Sequence, residues 1–406
     1  MSATTRVRAV LPVVVVDYAL THIGYFVVMP VLPLMLAASL EAQDATWIGL
    51  CLGALSLSMR GGSLFVSGWM HRSSVRRLVT VGPILVALGF TVTAYSASPI
   101  VVLVALILAG LGFSINGTAV RGYLALRLED RAAQNTAFSI IQIVVNVAAA
   151  VGPIIANLLL DSAWFRMTLV GSAGLFLVAA VVVPCTTPRG SHLAEGATRP
   201  PLKLLLVRDL IVDPKLRRLT AVVLAGGFLY GQFFSSFAVM VNEATAEPLL
   251  RAGFYTVNAV LVVAAQMLVT TQVNRLMKGG ATSVQVLVVG VLLFGGAFAL
   301  LAVGGGGIAM AYVAIVVFSL GETVYAPMVN TAFVEASEGR PVVEALNLRQ
   351  VAAATGEGLG AAAGGWLYWE MTSVGREPLY WGALGLFALL TLPMLVNRTR
   401  SEPRGR

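Results

Sequence analysis

Charge is what this chain has least of. Lys, Arg, Asp and Glu make up 11% of its 406 residues, against about 25% in a soluble domain. That leaves too little polar surface for a water-soluble globule and points to a polytopic membrane protein. Cysteine is nearly absent: Cys51 and Cys185 fall at opposite ends of apolar runs, so no disulfide is expected. The three histidines form no Cys/His cluster, so no metal site is expected. No glycine-rich loop closes on Gly-Lys-Ser/Thr, which leaves ATP without a site. No nucleophile–base pair stands at a membrane surface, so an enzyme is not expected, and no cofactor beyond an ion gradient. The first apolar run is far longer than a signal-peptide core and no small-residue cleavage site follows it, so no cleavable signal is expected.

What the chain has is apolar length. Twelve runs can span a bilayer, near 9–37, 47–70, 78–97, 99–124, 134–160, 164–184, 219–242, 250–276, 282–303, 308–334, 344–369 and 378–397. They are spans one to twelve below. The one long connection, 186–218, is rich in proline and basic residues, and 202–211 within it reads as an amphipathic surface helix. The expected organisation is therefore a six-span unit over 1–185, a cytoplasmic linker over 186–218 and a second six-span unit over 219–406. With both termini cytoplasmic, 21 of the 27 Lys and Arg residues fall inside. Three, Arg166, Arg251 and Arg376, fall outside, and Arg60, Arg121 and Arg349 lie within spans. This bias sets the topology and assigns the net charge of +8 to anionic lipid, not to nucleic acid.

An internal repeat relates the two units. Ala137–Leu160 aligns without gaps on Ala345–Tyr368, so that Gln142 meets Gln350 and Gly152 meets Gly360. Just before it Gly112 matches Gly321, and Arg131 matches Arg340. Span five repeats as span eleven and span four as span ten. Parallel six-span repeats put a substrate site near the midplane between them, with a cytoplasmic gate expected where spans four and five meet ten and eleven.

A charge in the bilayer core costs about 2.5–3.5 kcal/mol on insertion scales, so a span that keeps one needs a use or a partner for it. Span one carries Asp17 and His22, about 140° apart on a helix, with Tyr18 and Tyr25 on the face of His22. It reads as a cavity wall where Asp17 holds a proton or a cationic or zwitterionic group and His22 tunes that site with pH. A helix-capping or topogenic Asp17 is the other reading. Glu322 lies about 14 residues, or roughly 21 Å, into span ten, with Glu357 at similar depth in span eleven and Arg60 in span two. A carboxylate at such depth can load a proton on one side of the membrane and release it on the other. Arg60 can pair with Asp17, Glu322 or Glu357, either as a moving partner that couples proton release to conformation or as a permanent tie. Asn116, Gln142, Asn146, Tyr230, Gln232, Phe233, Tyr255, Asn258 and Tyr325 fall at matching depths. Amides and ring faces suit amphipathic organic molecules, although each of these side chains could instead serve packing.

Three stretches carry a resemblance. The loop after span two, from Gly68 through His71, Arg72, Arg76 and Arg77, is similar to the pattern Gly-x-x-x-Asp-Arg-x-Gly-Arg-Arg, with His71 in place of the Asp and Ser74 in place of the second Gly. Asn274-Arg275 is a weaker echo in the second unit. Span five carries Gly152-Pro153 among small residues, which resembles the antiporter motif, and span ten carries Gly321-Glu322-x-x-x-x-Pro327. With these the chain resembles the major facilitator superfamily, and within it the twelve-span drug:proton antiporter group of bacterial exporters. The resemblance implies an all-α membrane fold of 12 transmembrane helices in two six-helix bundles related by pseudo-two-fold symmetry. It implies a proton-coupled exporter of amphipathic drugs or secondary metabolites, monomeric, working by alternating access in a bacterial cytoplasmic (inner) membrane. The alternatives are a proton symporter importing a small nutrient and a transporter-fold sensor or scaffold.

Overall fold

The computed structural model describes residues 3–395 apart from 30–31, 33–34, 37–44, 129, 161–165, 189, 194–205, 246, 305–306 and 338. The basic residues expected at 199, 203 and 398–406, and the first half of the amphipathic segment, lie outside the described residues. Among those described, the elements are helices and turns, with one antiparallel bridge between Ser74 and His192. Span one is the helix Ala3–Val28. Span two is Ala45–Phe65 followed by Ser67–Arg72. Spans three to six are Val75–Tyr95, Pro99–Arg127, Arg131–Leu160 and Met167–Thr186. The linker contributes Leu206–Val212. Span seven breaks into Pro214–Phe233 and Ser236–Ala244. Spans eight to eleven are Pro248–Lys278, Ser283–Gly304, Ile308–Ala336 and Val342–Ser373. Span twelve is Glu377–Leu389 with a closing turn Leu392–Leu395.

The helix starts follow local chemistry. Pro99, Pro214, Pro248 and Pro378 stand in the first turns of their helices, where a missing N–H costs nothing. Asp213 accepts the N–H groups of Lys215 and Leu216 at 2.9 and 3.3 Å, and Ser74 accepts that of Arg77 at 3.3 Å. Ten of the described helices are long and apolar enough to cross a membrane. The two expected spans that miss this test are two and eleven. They hold Arg60 and, on the other side, Glu344, Arg349, Glu357 and Glu370. Span two falls short in length, with the apolar helix Leu50–Phe65, and Arg60 and Glu357 of the two spans meet in a salt bridge.

The repeat seen in sequence is a repeat of contacts. A Cβ on Gly152 would meet the backbone of Phe26 at 2.6 Å, and one on Gly360 would meet that of Phe228 at 2.1 Å. Span five therefore lies backbone-to-backbone on span one as span eleven does on span seven. Likewise a Cβ on Gly112 would meet the Gly82 carbonyl at 2.4 Å, and one on Gly321 would meet the Gly290 carbonyl at 3.1 Å. Small residues permit this approach where no hydrophobic drive exists between helices in lipid.

Two apolar cores lie within spans one to six and a third within spans seven to twelve. The sets join at the end that carries the basic loops, called the basic end here. There Val342, Val343 and Leu346 of span eleven enter a core of the first six spans, beside Leu193 of the linker. Arg131 pairs with Glu335 at 2.7 Å, Asn135 donates to Asn274 at 2.9 Å, and Thr270 donates to Ser139 at 2.7 Å. The expected gate between spans four, five, ten and eleven is thus broader than expected: span eight supplies Thr270 and Asn274. The side chain at 274 in the echo motif sits against the first turns of span five, donating to Thr136 at 2.8 Å.

Candidate functional site

Above this closure lies a cavity of about 340 Å³ walled by spans one, two, four, five and eleven. Span one contributes Asp17, Tyr18, Thr21, His22, Tyr25 and Phe26, one helical stripe three to four residues apart. Asp17 is 1% exposed, and both its oxygens accept from Asn116 Nδ2, at 3.1 and 3.0 Å. His22 stacks on Tyr18 with ring centroids 4.6 Å apart, and its Nδ1 lies 3.2 Å from the Thr21 hydroxyl. Tyr25 meets Phe113 edge-on at 5.3 Å, forming an aromatic wall. So the structure brings Asp17, His22, Tyr25 and Asn116 into one chamber.

Arg60 Nη1 and Glu357 Oε2 form a salt bridge at 2.5 Å that ties span two to span eleven. The geometry thereby selects Glu357 from the three candidate partners. This bridge, with Gln350 and Ala354, is shared with a second hollow of about 720 Å³ between spans two, seven and eleven. The pair therefore stands between the two spaces and touches both. Tyr230 lines the second hollow.

Glu322 sits apart from these walls. It is 3% exposed and is gripped by neutral donors: Gln142 at 2.9 Å, Asn258 at 3.1 Å and, more loosely, the Tyr230 hydroxyl at 3.5 Å. Asn258 also donates to Ser319 at 3.0 Å, and Asn146 donates to the Gln142 carbonyl at 2.9 Å. Among the described residues no cation lies at salt-bridging distance. Gln142 comes from span five and the other two donors from spans seven and eight, so one carboxylate joins the two bundles.

Seven residues expected in the cavity line neither hollow: Gln142, Asn146 and Asn258 surround Glu322, and the other four stand elsewhere. Gln232 is buried, donating to the Gly360 carbonyl at 2.9 Å and accepting from Tyr380 at 2.5 Å, so it ties span seven to eleven and twelve. Phe233 stacks on Phe318 at 4.8 Å inside an aromatic core. Tyr255 lies edge-on to Phe233 at 5.4 Å, outside the cavity wall. Tyr325 packs over Gly226 and donates to the Val223 carbonyl at 2.8 Å. Depth does not set direction: Gln232, Phe233 and Tyr325 face the bundle's own core, and Tyr255 is exposed.

The motif loop lies at the basic end. Arg72 donates to the Gly68 carbonyl at 3.1 Å, and Arg77 covers the Trp69 ring at 5.8 Å. Arg76 offers its carbonyl to Thr80 at 2.9 Å. His71 has its Nδ1 buried without a partner. Burial and the neighbouring Arg72 push its imidazole below the usual histidine range, against the opposing pull of Glu344 in the first turn of span eleven. Pro153 lies inside the span-five helix, next to the Gly152 contact.

Two cavity-lining side chains are placed within spans by the sequence but given no role there. Arg121 of span four and Arg349 of span eleven both line the cavity with Asp17. The signal was available: an arginine inside a membrane span is rare and turns inward.

Two bundles of spanning helices, meeting at one end below a part-polar chamber, are the architecture of a membrane transporter. The profile described as Major Facilitator Superfamily matches residues 16–285, and the chain belongs to that superfamily. It is 26% identical over 383 residues to a multidrug resistance protein MdtH of Cronobacter sakazakii, covering 94% of this chain and 92% of that one. It is 24% identical over 403 residues to the MdtH of Klebsiella pneumoniae, covering 96% of each. Among solved structures, the human organic anion transporter MFSD10 (TETRAN) superposes with a TM-score of 0.75 at 18% identity, covering 96% of this chain and 99% of that one. FucP in its outward conformation gives 0.71 at 14% identity, covering 95% and 97%. At these identities the two solved structures show the fold alone.

Proposed function

We propose that this transporter is a proton-driven exporter of amphipathic small molecules that rocks its two bundles about the central chamber. The observation that carries the reading is Glu322: a buried carboxylate held by neutral amides from both bundles, with no cation at salt-bridging distance among the described residues. Such a group can take up a proton, and its bond to Gln142 is made or lost as the bundles move. Each proton moving inward yields about 2.3 kcal/mol per 100 mV and about 1.4 kcal/mol per pH unit, enough for one or two to drive a steep gradient without another cofactor. The likeness to two proteins named for multidrug resistance supports export of drug-like molecules. The bias of 21 basic residues to one side supports an orientation with both termini cytoplasmic in a bacterial inner membrane. In that orientation the closed basic end faces the cytoplasm. We assign Asp17 and the Arg60–Glu357 pair to the same coupling machinery, and treat the protein as a monomer.

The test is a proteoliposome carrying an imposed pH gradient and a fluorescent amphiphile. Wild type should move the dye uphill against the proton flow, and Glu322→Gln should abolish uphill movement while still binding the dye. Undiminished uphill transport by Glu322→Gln would sink the coupling role, and dye movement along with the protons would make the protein a symporter.

A further inference from the structure

The chamber holds more positive than negative side chains. Arg60, Arg121 and Arg349 line it with Asp17 and Glu357. Arg60 is neutralised by Glu357 at 2.5 Å. Among the described residues neither Arg121 nor Arg349 has a carboxylate at salt-bridging distance. Asp17, on the same wall, has both oxygens taken up by Asn116. Arg349 donates from Nη1 only to the neutral Gln350 Oε1, at 2.8 Å, and its Nε is buried with no partner. Arg121, from span four, lines the same chamber as Arg349 of span eleven.

Two unpaired cations lining one chamber, one with a buried orphaned donor, are a costly arrangement without a counter-charge. A guanidinium presents its donors as a planar fork that matches a carboxylate, sulfonate or phosphonate group. Tyr25, Phe26 and Phe113 line the same chamber and offer an apolar wall to the rest of a ligand. Its volume, about 340 Å³, falls within the range of small-molecule sites.

We infer that the substrate is an organic anion, or carries an anionic group, which Arg121 and Arg349 clasp while its apolar body lies on the Tyr25–Phe113 wall. The inference rests on the export reading only in taking this chamber as the substrate site. It reverses the expectation of a cationic group at Asp17: both Asp17 oxygens accept from Asn116, while among the described residues neither arginine has a carboxylate partner.

The experiment uses one fluorophore in three charge states, namely dansylglycine, dansylglycinamide and dansyl-ethylenediamine. Each is titrated into the purified full-length protein in lipid nanodiscs with no proton gradient. The anion should bind about tenfold or more tightly than the amide, and the cation least. Arg121→Gln and Arg349→Gln should each remove most of that preference, with thermal unfolding in the nanodisc certifying the fold. Arg121→Lys and Arg349→Lys should keep the order, and they decide the matter if the glutamine variants do not fold. Tightest binding of the cation, equal binding of all three, no binding of any, or a preference that survives Arg121→Gln/Arg349→Gln would each overturn the inference. Because no gradient is present, failure of proton-driven transport in proteoliposomes leaves this result standing. Loss of the charge preference with uphill export intact would sink the anion assignment alone.

Discussion

The two deep glutamates differ in what holds them, and that difference predicts different behaviour. Glu357 is paired with Arg60 across 297 positions of sequence at 2.5 Å, with the two side chains 28% and 38% exposed. A pair that reaches solvent contributes little net energy, about 1 kcal/mol or less. In a double-mutant cycle of Arg60→Gln and Glu357→Gln, read by thermal unfolding, the coupling should be of that size, with the double variant less impaired than the sum of the singles. A coupling of zero would reduce the bridge to a chance encounter of two solvated side chains. Glu322 has no such cation. Removing one of its neutral donors leaves a buried carboxylate short of a hydrogen bond, which costs about 1–3 kcal/mol. Asn258→Leu should therefore lower stability by that amount at neutral pH and recover part of it when combined with Glu322→Gln. Equal penalties in the two backgrounds would show that Asn258 acts through packing alone.

At the scale of elements, helix contact depends on small residues at repeated positions. The backbone atoms facing Gly152 and Gly360 leave no room for a methyl group. Gly152→Ala and Gly360→Ala should each cost about 1–3 kcal/mol or more through overpacking, seen as lower melting temperatures. Gly171→Ala and Gly174→Ala, which face open space, should be near neutral. If all four behave alike, the close approach of spans five and eleven to one and seven is not what holds the bundles.

The motif loop makes a second prediction at this scale. His71 titrates below its ordinary value of 6.5 in the folded state. The unfolded chain then binds more protons in that interval, so stability rises with pH. Its contribution is complete above the unfolded value and is lost as pH falls through the folded one. Between about pH 7.5 and about pH 5.5 the wild type should lose more melting temperature than His71→Gln, by an amount corresponding to one group. Parallel losses would clear His71 of any part.

At the scale of the whole molecule, the basic end is a joint between bundles. It is made by Asn135 with Asn274, Ser139 with Thr270, and Arg131 with Glu335. If the bundles rock, this joint must open when the chamber turns to the other side. Cysteines at 135 and 274, in a background where Cys51 and Cys185 are replaced by serine, should cross-link in the resting protein. That cross-linking should weaken when substrate or a changed pH shifts the population. A yield that never changes would make this joint rigid and put the moving gate elsewhere.

The sequence by itself determined the spans, their repeat and the side that bears the basic loops. Those are properties of local hydropathy, of composition and of positions 208 or 209 apart, such as Gly112 with Gly321 and Gly152 with Gly360. It also marked Asp17, Arg60, Glu322 and Glu357, because a charge within an apolar run stands out wherever it lies. What it could not give was azimuth and partnership. Gln232, Phe233 and Tyr325 share their depth with Tyr230 and Asn258, and the turn of each helix sends them into packing instead of toward Glu322 or a cavity. Arg60 had three carboxylates within the range of its span, and only the crossing of spans two and eleven chose Glu357. The surplus of arginine in the chamber is likewise a tertiary fact. Arg121 lies in span four and Arg349 in span eleven, and it is packing that sets both on one chamber with Asp17 already occupied by Asn116. Hydropathy acts over a few residues of one helix, whereas charge balance is settled among side chains brought together from five.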